Sequence, residues 1–393
     1  MAAKSAKKYK KNIIDVFFLK AEARPDHRMV LYKHDGRYKS FSRREMKEKV
    51  ESLAKYLISK GIKKGDRISV FSFNRYEWWV ADLAALSIGA VHVPIYPTNS
   101  AEEALYAIKH SSVKMCFVGS FDQYEKIASI KKKASSLKEI ISFDKIEKCP
   151  SFELVLSKGI KLKKDAELLK RRNAIKDKDL CSIIYTSGTT GNPKGVMLSY
   201  ENFYSDLTQV AAVFEKEISE NEIFMSFLPL SHALERTAAF YTPIYYGCIV
   251  AFSSDIRNVI ADTKLVFPDV LNSVPRLYEK IHSGILEQIR GYGIIKRSVV
   301  AACLKAGSLR IPSICEGVPL GGVKKMIVSV ADKIVLSRIK KELGFSKVKI
   351  AISGGAALSV NDMNFFLSLG INLYEGYGLT ECAPILTVNK PGK

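Results

Sequence analysis

Residues 185–195 read Tyr-Thr-Ser-Gly-Thr-Thr-Gly-Asn-Pro-Lys-Gly and follow the apolar stretch 180–184. Glycines let backbone approach an anion, and hydroxyls, main-chain N–H groups and a lysine supply donors to phosphate oxygens. Thr186, Ser187, Gly188, Thr189, Thr190, Gly191 and Lys194 are therefore candidates for cradling a phosphate chain. The block is not a Walker loop, which places Lys-Ser/Thr directly after its second glycine. The bland alternative is a surface loop rich in Ser, Thr and Gly. A second block, Leu-Pro-Leu-Ser-His-Ala-Leu-Glu-Arg at 228–236, sets His232 and Arg236 one helical turn apart after a strand. A lone histidine is more often a packed or capping residue than a catalytic one. In residues 353–358, Ser-Gly-Gly-Ala-Ala-Leu, Gly354 and Gly355 end a strand and leave bare backbone against which a planar group can lie, with Ala356 following. Residues 374–381, Tyr-Glu-Gly-Tyr-Gly-Leu-Thr-Glu, bring Glu375, Gly376, Tyr377, Gly378, Thr380 and Glu381 together. This block is not a dinucleotide fingerprint, because Glu381 stands where Gly or Ala is needed, and its charge would repel a pyrophosphate unless a metal lay between.

The elements that must hold these blocks alternate in type. Asp35-Gly36 between two short β-prone runs signals a hairpin. Ser42…Glu45, Asn74…Glu77 and Ser100…Glu103 open three helices, separated by the runs 67–73, 91–95 and 113–118. Helices alternating with β-branched runs imply right-handed crossovers and a parallel sheet, hence an α/β protein. The pattern decays into a charged stretch at 123–178, a natural division into a first subdomain at 1–178 with a basic tail and a second at 179–393. Beyond it, a helix from about Tyr200, strands at 223–228, 249–252 and 348–353, and a helix after His232 are expected, with 291–321 irregular.

The chain of 393 residues is long enough for two or three packed units, and 47% hydrophobic residues make it globular. Seven scattered cysteines form no Cys-x-x-Cys pair and fit a reduced, cytoplasmic setting. No stretch reads as apolar enough to span a bilayer; residues 80–96 read as a buried helix and a strand. The formal charge is +21, and lysines crowd the tail and 126–178. No nucleic-acid motif accompanies them, so solvated faces or peripheral contact with an anionic membrane account for them better than nucleic acid.

In order and spacing the three blocks resemble the adenylate-forming, AMP-binding superfamily. Glu235-Arg236 and Val-Pro-Arg-Leu-Tyr-Glu-Lys at 274–280 resemble its long-chain fatty acyl-CoA synthetases in particular. The resemblance implies two stacked mixed or parallel sheets with flanking helices, and ATP, Mg²⁺ and coenzyme A acting on a long-chain fatty acid. It implies that His232 lies beside the carboxylate, that Lys194 and the loop hydroxyls hold phosphates, and that the 353–358 segment lines the adenine pocket. It further implies that Tyr377 borders adenine, Thr380 contacts the α-phosphate and Glu381 holds Mg²⁺. The family's later ribose-binding Asp, hinge Arg and lysine-bearing lid domain have no counterpart before Lys393, so this chain is expected to be an incomplete ligase. A non-catalytic nucleotide or acyl-adenylate module, or a ligase serving an acyl-carrier protein or another acid, remains the alternative. A homodimer is compatible with the sequence.

Overall fold

The computed structural model describes residues 12–186, 191–253 and 256–390. The chain begins with the hairpin β1 (Arg28–His34) and β2 (Arg37–Ser42). Asp35 and Gly36, at φ 51° and 74°, supply the left-handed pair that a two-residue turn requires. Six strands follow: β3 (Arg67–Phe71), β4 (Val91–Ile95), β5 (Val113–Val118), β6 (Glu139–Ser142), β7 (Leu180–Thr186) and β8 (Lys194–Ser199). They form one sheet in the order β6-β5-β3-β4-β7-β8, parallel except for the β7–β8 hairpin. The last six are β9 (Ile223–Ser226), β10 (Ile249–Phe252), β11 (Val270–Ser273), β12 (Ile350–Gly354), β13 (Leu373–Gly378) and β14 (Ile385–Val388). They join the first hairpin in an eight-stranded sheet ordered β14-β13-β12-β11-β9-β10-β1-β2, antiparallel only at its two ends. The protein is thus α/β with two mixed sheets and flanking helices.

Helices Arg43–Ser59, Tyr76–Ser87 and Tyr200–Phe214 contribute to the core between the sheets. Trp78 and Trp79 are fully buried there, and Trp79 stacks on Phe240 at 4.2 Å between ring centroids. Two further cores cover the outer faces of the two sheets.

Several expectations are corrected. Sheet membership crosses residue 178 in both directions: β7 and β8 close the first sheet, and β1 pairs in parallel with β10, Val30 opposite Val250. The capping boxes at Ser42 and Ser100 form, whereas Asn74 caps nothing; Arg75 precedes the helix without a side-chain cap. The charged stretch 123–178 holds β6 and the helices Phe152–Ile160 and Asp165–Asn173. Residues 291–321 carry the helices Ile294–Ser308 and Ile311–Cys315. Only Val300, Cys303 and Gly307 of the longer one turn inward, and apolar residues on its outer face mask the helical period. Residues 294–315, a helical run of 22, are long and apolar enough to cross a membrane by length and composition: an 18-residue stretch within it has mean hydropathy 1.3 and is 17% buried, contrary to the expectation of no such stretch.

Candidate active site

The hydroxyl- and glycine-rich loop closes the β7–β8 hairpin, with Thr186 paired to Lys194 across its neck and Gly191 at φ 106°. Ser187, Gly188, Thr189 and Thr190 lie outside the described residues. Facing this hairpin, His232 caps the N-terminus of the helical run Ala233–Arg236. Its Nδ1 accepts the Leu234 N–H at 3.1 Å. In the neutral ring that bond places the proton on Nε2, so the free nitrogen is a donor. The ring reaches solvent from a recess whose burial holds its pKa below the ordinary histidine value.

A cavity of about 360 Å³ joins the blocks. At its polar end lie Thr186, His232, Gly354, Gly355, Gly376, Tyr377, Gly378, Thr380 and Glu381; inward it becomes an apolar sleeve of Val210, Phe214, Ile218, Phe224, Val270 and Ile350. Adjacent strand ends make the glycine wall, Gly354 opposite Gly376 in the β12–β13 pair. A Cβ on Gly378 would sit 1.9 Å from the Pro384 carbonyl, so only glycine lets the turn bearing Thr380 and Glu381 fold back onto β13. That turn is tied to the histidine's helical run by Thr237, whose hydroxyl donates to the Ala383 carbonyl at 3.1 Å. Glu381 is exposed and makes no ion pair among the described residues. No cluster of three or more potential metal ligands occurs among them. A single free carboxylate in an open phosphate site fits Mg²⁺, which is commonly held by one or two carboxylates together with substrate phosphates and water.

Lys194, Gly191, Ala356 and Glu375 do not line this cavity. Glu375 instead accepts the Leu358 N–H at 2.9 Å and so fixes the turn after Gly355.

Behind His232 lies an ionic cluster that joins the two layers. Arg236, fully buried, bonds Asp82, donates to Ser182 Oγ at 2.6 Å and to Tyr241 Oη at 3.0 Å. Tyr241 donates to the second Asp82 oxygen at 2.8 Å, and His92 Nδ1 lies 2.6 Å from Asp82. Burial pushes His92 down to about 4, leaving it neutral beside the charged pair. Asp82 stays below the ordinary carboxylate range: Arg236 and His92 outweigh the opposing effect of its burial. Asn74 adds a second clamp, donating to Ser226 Oγ at 3.0 Å and the Leu228 carbonyl at 2.6 Å while accepting the Leu230 N–H at 3.1 Å. It grips the segment leading into His232. Neither clamp was visible in the sequence, because their partners lie 150 or so positions apart and no local spacing links them.

Glu235 accepts from Ser226 Oγ at 2.8 Å and Phe227 N–H at 2.9 Å, but complete burial pushes its carboxyl up to about 8. Burial does the same to Asp206. The unfolded chain releases these protons near the ordinary carboxylate value of about 4. From there up to about pH 8 the folded state binds more protons, so each group removes stability as pH rises. His92 acts oppositely, but only below about pH 6.5. Stability should therefore decline between about pH 6.5 and 8 by up to about 1.4 kcal/mol per pH unit for each group. Glu235→Gln, measured by urea unfolding across that range, should lose Glu235's share of the slope; an unchanged slope would contradict the assignment.

The AMP-binding enzyme family model matches residues 17–393. The chain belongs to the AMP-binding enzymes. This AMP-binding enzyme is 30% identical over 375 residues to a long-chain-fatty-acid–CoA ligase, FadD15, of Mycobacterium bovis, covering 94% of this chain and 60% of the relative. It is 29% identical over 361 residues to the peroxisomal long chain acyl-CoA synthetase 6 of Arabidopsis thaliana, covering 90% of this chain and 49% of that protein. It thus spans roughly half to three fifths of the length of these curated relatives. Among solved structures, a long-chain-fatty-acid-CoA ligase (FadD1) from Archaeoglobus fulgidus superposes with a TM-score of 0.70 over 97% of this chain and 66% of that one, at 16% identity. An anthranilate CoA ligase bound to anthranoyl-AMP also gives 0.70, at 16% identity over 97% of this chain and 61% of that one. Both show the shared fold.

Proposed function

We propose that this AMP-binding enzyme activates a long-chain fatty acid with ATP, first as the acyl-adenylate and then as the thioester of coenzyme A. The observation that carries the reading is the single cavity with a polar, glycine-walled end and an apolar sleeve. An acyl chain in the sleeve places its carboxylate at His232, where Nε2–H donates to one oxygen and orients the other. The carboxylate oxygen attacks the α-phosphorus of ATP; the bond to the bridging oxygen breaks and pyrophosphate departs with its electron pair. Two anions must meet in this step, so donors aimed at the phosphates are the chief requirement. Thr186 and Thr380 supply them from the cavity wall; Lys194, which pairs with Thr186 at the neck of the hairpin but lies outside the cavity lining, and the loop residues 187–190 are assigned the same task by the family resemblance. Gly354, Gly355 and Gly376 leave room for the adenine, and Tyr377 offers a ring beside it. Glu381 would hold Mg²⁺, which would supply charge neutralisation on the phosphates. The coenzyme A thiolate then attacks the acyl carbon and AMP leaves. No covalent bond to the protein forms.

A non-hydrolysable palmitoyl-adenylate mimic should raise the unfolding temperature. At about 100 times its dissociation constant the added stability is about 2.7 kcal/mol. Affinity should climb with acyl length, by up to about 0.8 kcal/mol per methylene that enters the sleeve. An aminoacyl mimic that stabilises equally well, or a series flat in chain length, would reject fatty-acid selectivity.

A further inference from the structure

The helices Ile294–Ser308 and Gly322–Ala331, the second continuing through Asp332–Leu336, form an outer layer away from the active-site cavity. Val323, Met326, Ile327, Val330 and Ile334 recur at spacings of three and four, the pattern of a buried helix face. Yet they are 70, 64, 42, 51 and 56% exposed, while Val328 and Ala331 make the inward contacts. Ile294 and Ile295, at the start of the neighbouring helix, are 75 and 83% exposed. Ile334 also lines a separate cavity of about 900 Å³, with Val299, Lys296 and Arg338.

Charge and composition identify what fits. Residues 291–341 contain ten Lys or Arg, seven of them Lys, against two acidic residues, Glu316 and Asp332. Asp332 is already paired with Arg310 at 2.7 Å. No aromatic residue occurs from 293 to 341. Protein interfaces disfavour Lys, which here outnumbers Arg by seven to three. Protruding aliphatic side chains among flexible lysines suit a bilayer, where the former enter the headgroup boundary and the latter meet lipid phosphates.

We propose that this face docks on the surface of an anionic lipid bilayer, with Val323, Met326, Ile327 and Val330 inserted and Lys324 and Lys325 on the headgroups. It rests on the membrane rather than crossing it. The run 294–315 carries Lys296, Arg297, Lys305 and Arg310, and it is held to the body at Gly307, where a Cβ would sit 2.3 Å from the Ser368 carbonyl. The inference does not depend on the catalytic reading, since docking is measured without substrate.

The test is sedimentation of the 393-residue chain with vesicles of phosphatidylcholine alone and of phosphatidylcholine with phosphatidylserine, over a range of salt. Binding should require phosphatidylserine and weaken as salt screens the surface. Lys324→Glu/Lys325→Glu should reduce partitioning by about twentyfold or more, at about fivefold per lost basic charge. Val323→Ser/Ile327→Ser/Val330→Ser should reduce it by at least about tenfold, since two apolar carbons at each valine and three at the isoleucine give way to a hydroxyl. All altered positions are exposed, so unfolding temperatures should match the parent's. Equal binding to neutral vesicles, no binding at all, or variants that bind like the parent overturn the proposal. So does a parent dimer that the serine variant converts to monomer, which would assign the face to a second copy of the chain.

Discussion

Replacing Arg236 with methionine should lower the free energy of unfolding at neutral pH by about 3–5 kcal/mol, the cost of leaving one member of a buried pair without its partner. Asp82 would keep Tyr241 and His92 but lose the full positive charge of Arg236, its one charged partner among the described residues, since burial keeps His92 neutral at that pH. The planar Arg236 group also lies 5.3–5.6 Å from the rings of Tyr241, Phe203 and Trp78, contacts that a thioether replaces only partly. Converting the pair together, Asp82→Leu with Arg236→Met, should recover much of the loss, because an apolar replacement removes both desolvated charges. Denaturant unfolding of these two variants and of Asp82→Leu alone gives the coupling directly. A loss below about 1 kcal/mol in the Arg236 variant would mean that water reaches the cluster and that the layers are held by apolar packing alone. Because Arg236 follows His232 by one turn, the Arg236 variant should also weaken binding of the acyl-adenylate mimic beyond what its lower stability explains.

The second large effect is expected at Glu381. Glu381→Gln keeps the shape and removes the charge, and should slow ATP–pyrophosphate exchange by about 10² to 10³, the usual loss when a preorganised electrostatic contact to a developing charge is removed. The same variant should blunt the Mg²⁺ dependence of ATP affinity, a readout that needs no turnover. Exposure of the side chain makes it a neutral change for folding. ATP binding with unaltered Mg²⁺ dependence would show that the carboxylate does not hold the ion.

Local signals carried much of the reading. Asp35-Gly36 forms its hairpin turn, Ser42 and Ser100 form reciprocal capping boxes with Glu45 and Glu103, and the glycine-bearing blocks fall at strand ends, where a ligand can meet backbone. These features depend on neighbours a few residues away, so spacing reports them. Asn74 looked like a cap because its spacing to Glu77 imitates one; its real partners are at 226–230, across the interface between the layers. The Asp82–His92–Arg236 cluster draws from a helix, a strand and a distant helix, and nothing in the spacing of the three says that they meet. The helix at 294–308 was missed for the opposite reason. Its outward face is as apolar as its inward one, so the contrast on which periodicity depends is absent.

The parallel pairing of β1 with β10 sets a clock on synthesis. Val30 and Val250 are partners separated by about 220 residues, which a ribosome making about 5–20 residues per second takes roughly 10–40 s to cover. For that time the first hairpin exists with its inner edge unpaired, able to add a strand from any nascent neighbour. Its outer strand, β2, meets this hazard with Arg37 and Lys39, charged residues at the rim. The inner strand carries Arg28 and Lys33 only towards its ends, so its apolar middle, with Val30 and Leu31, must wait for the middle of the chain to arrive.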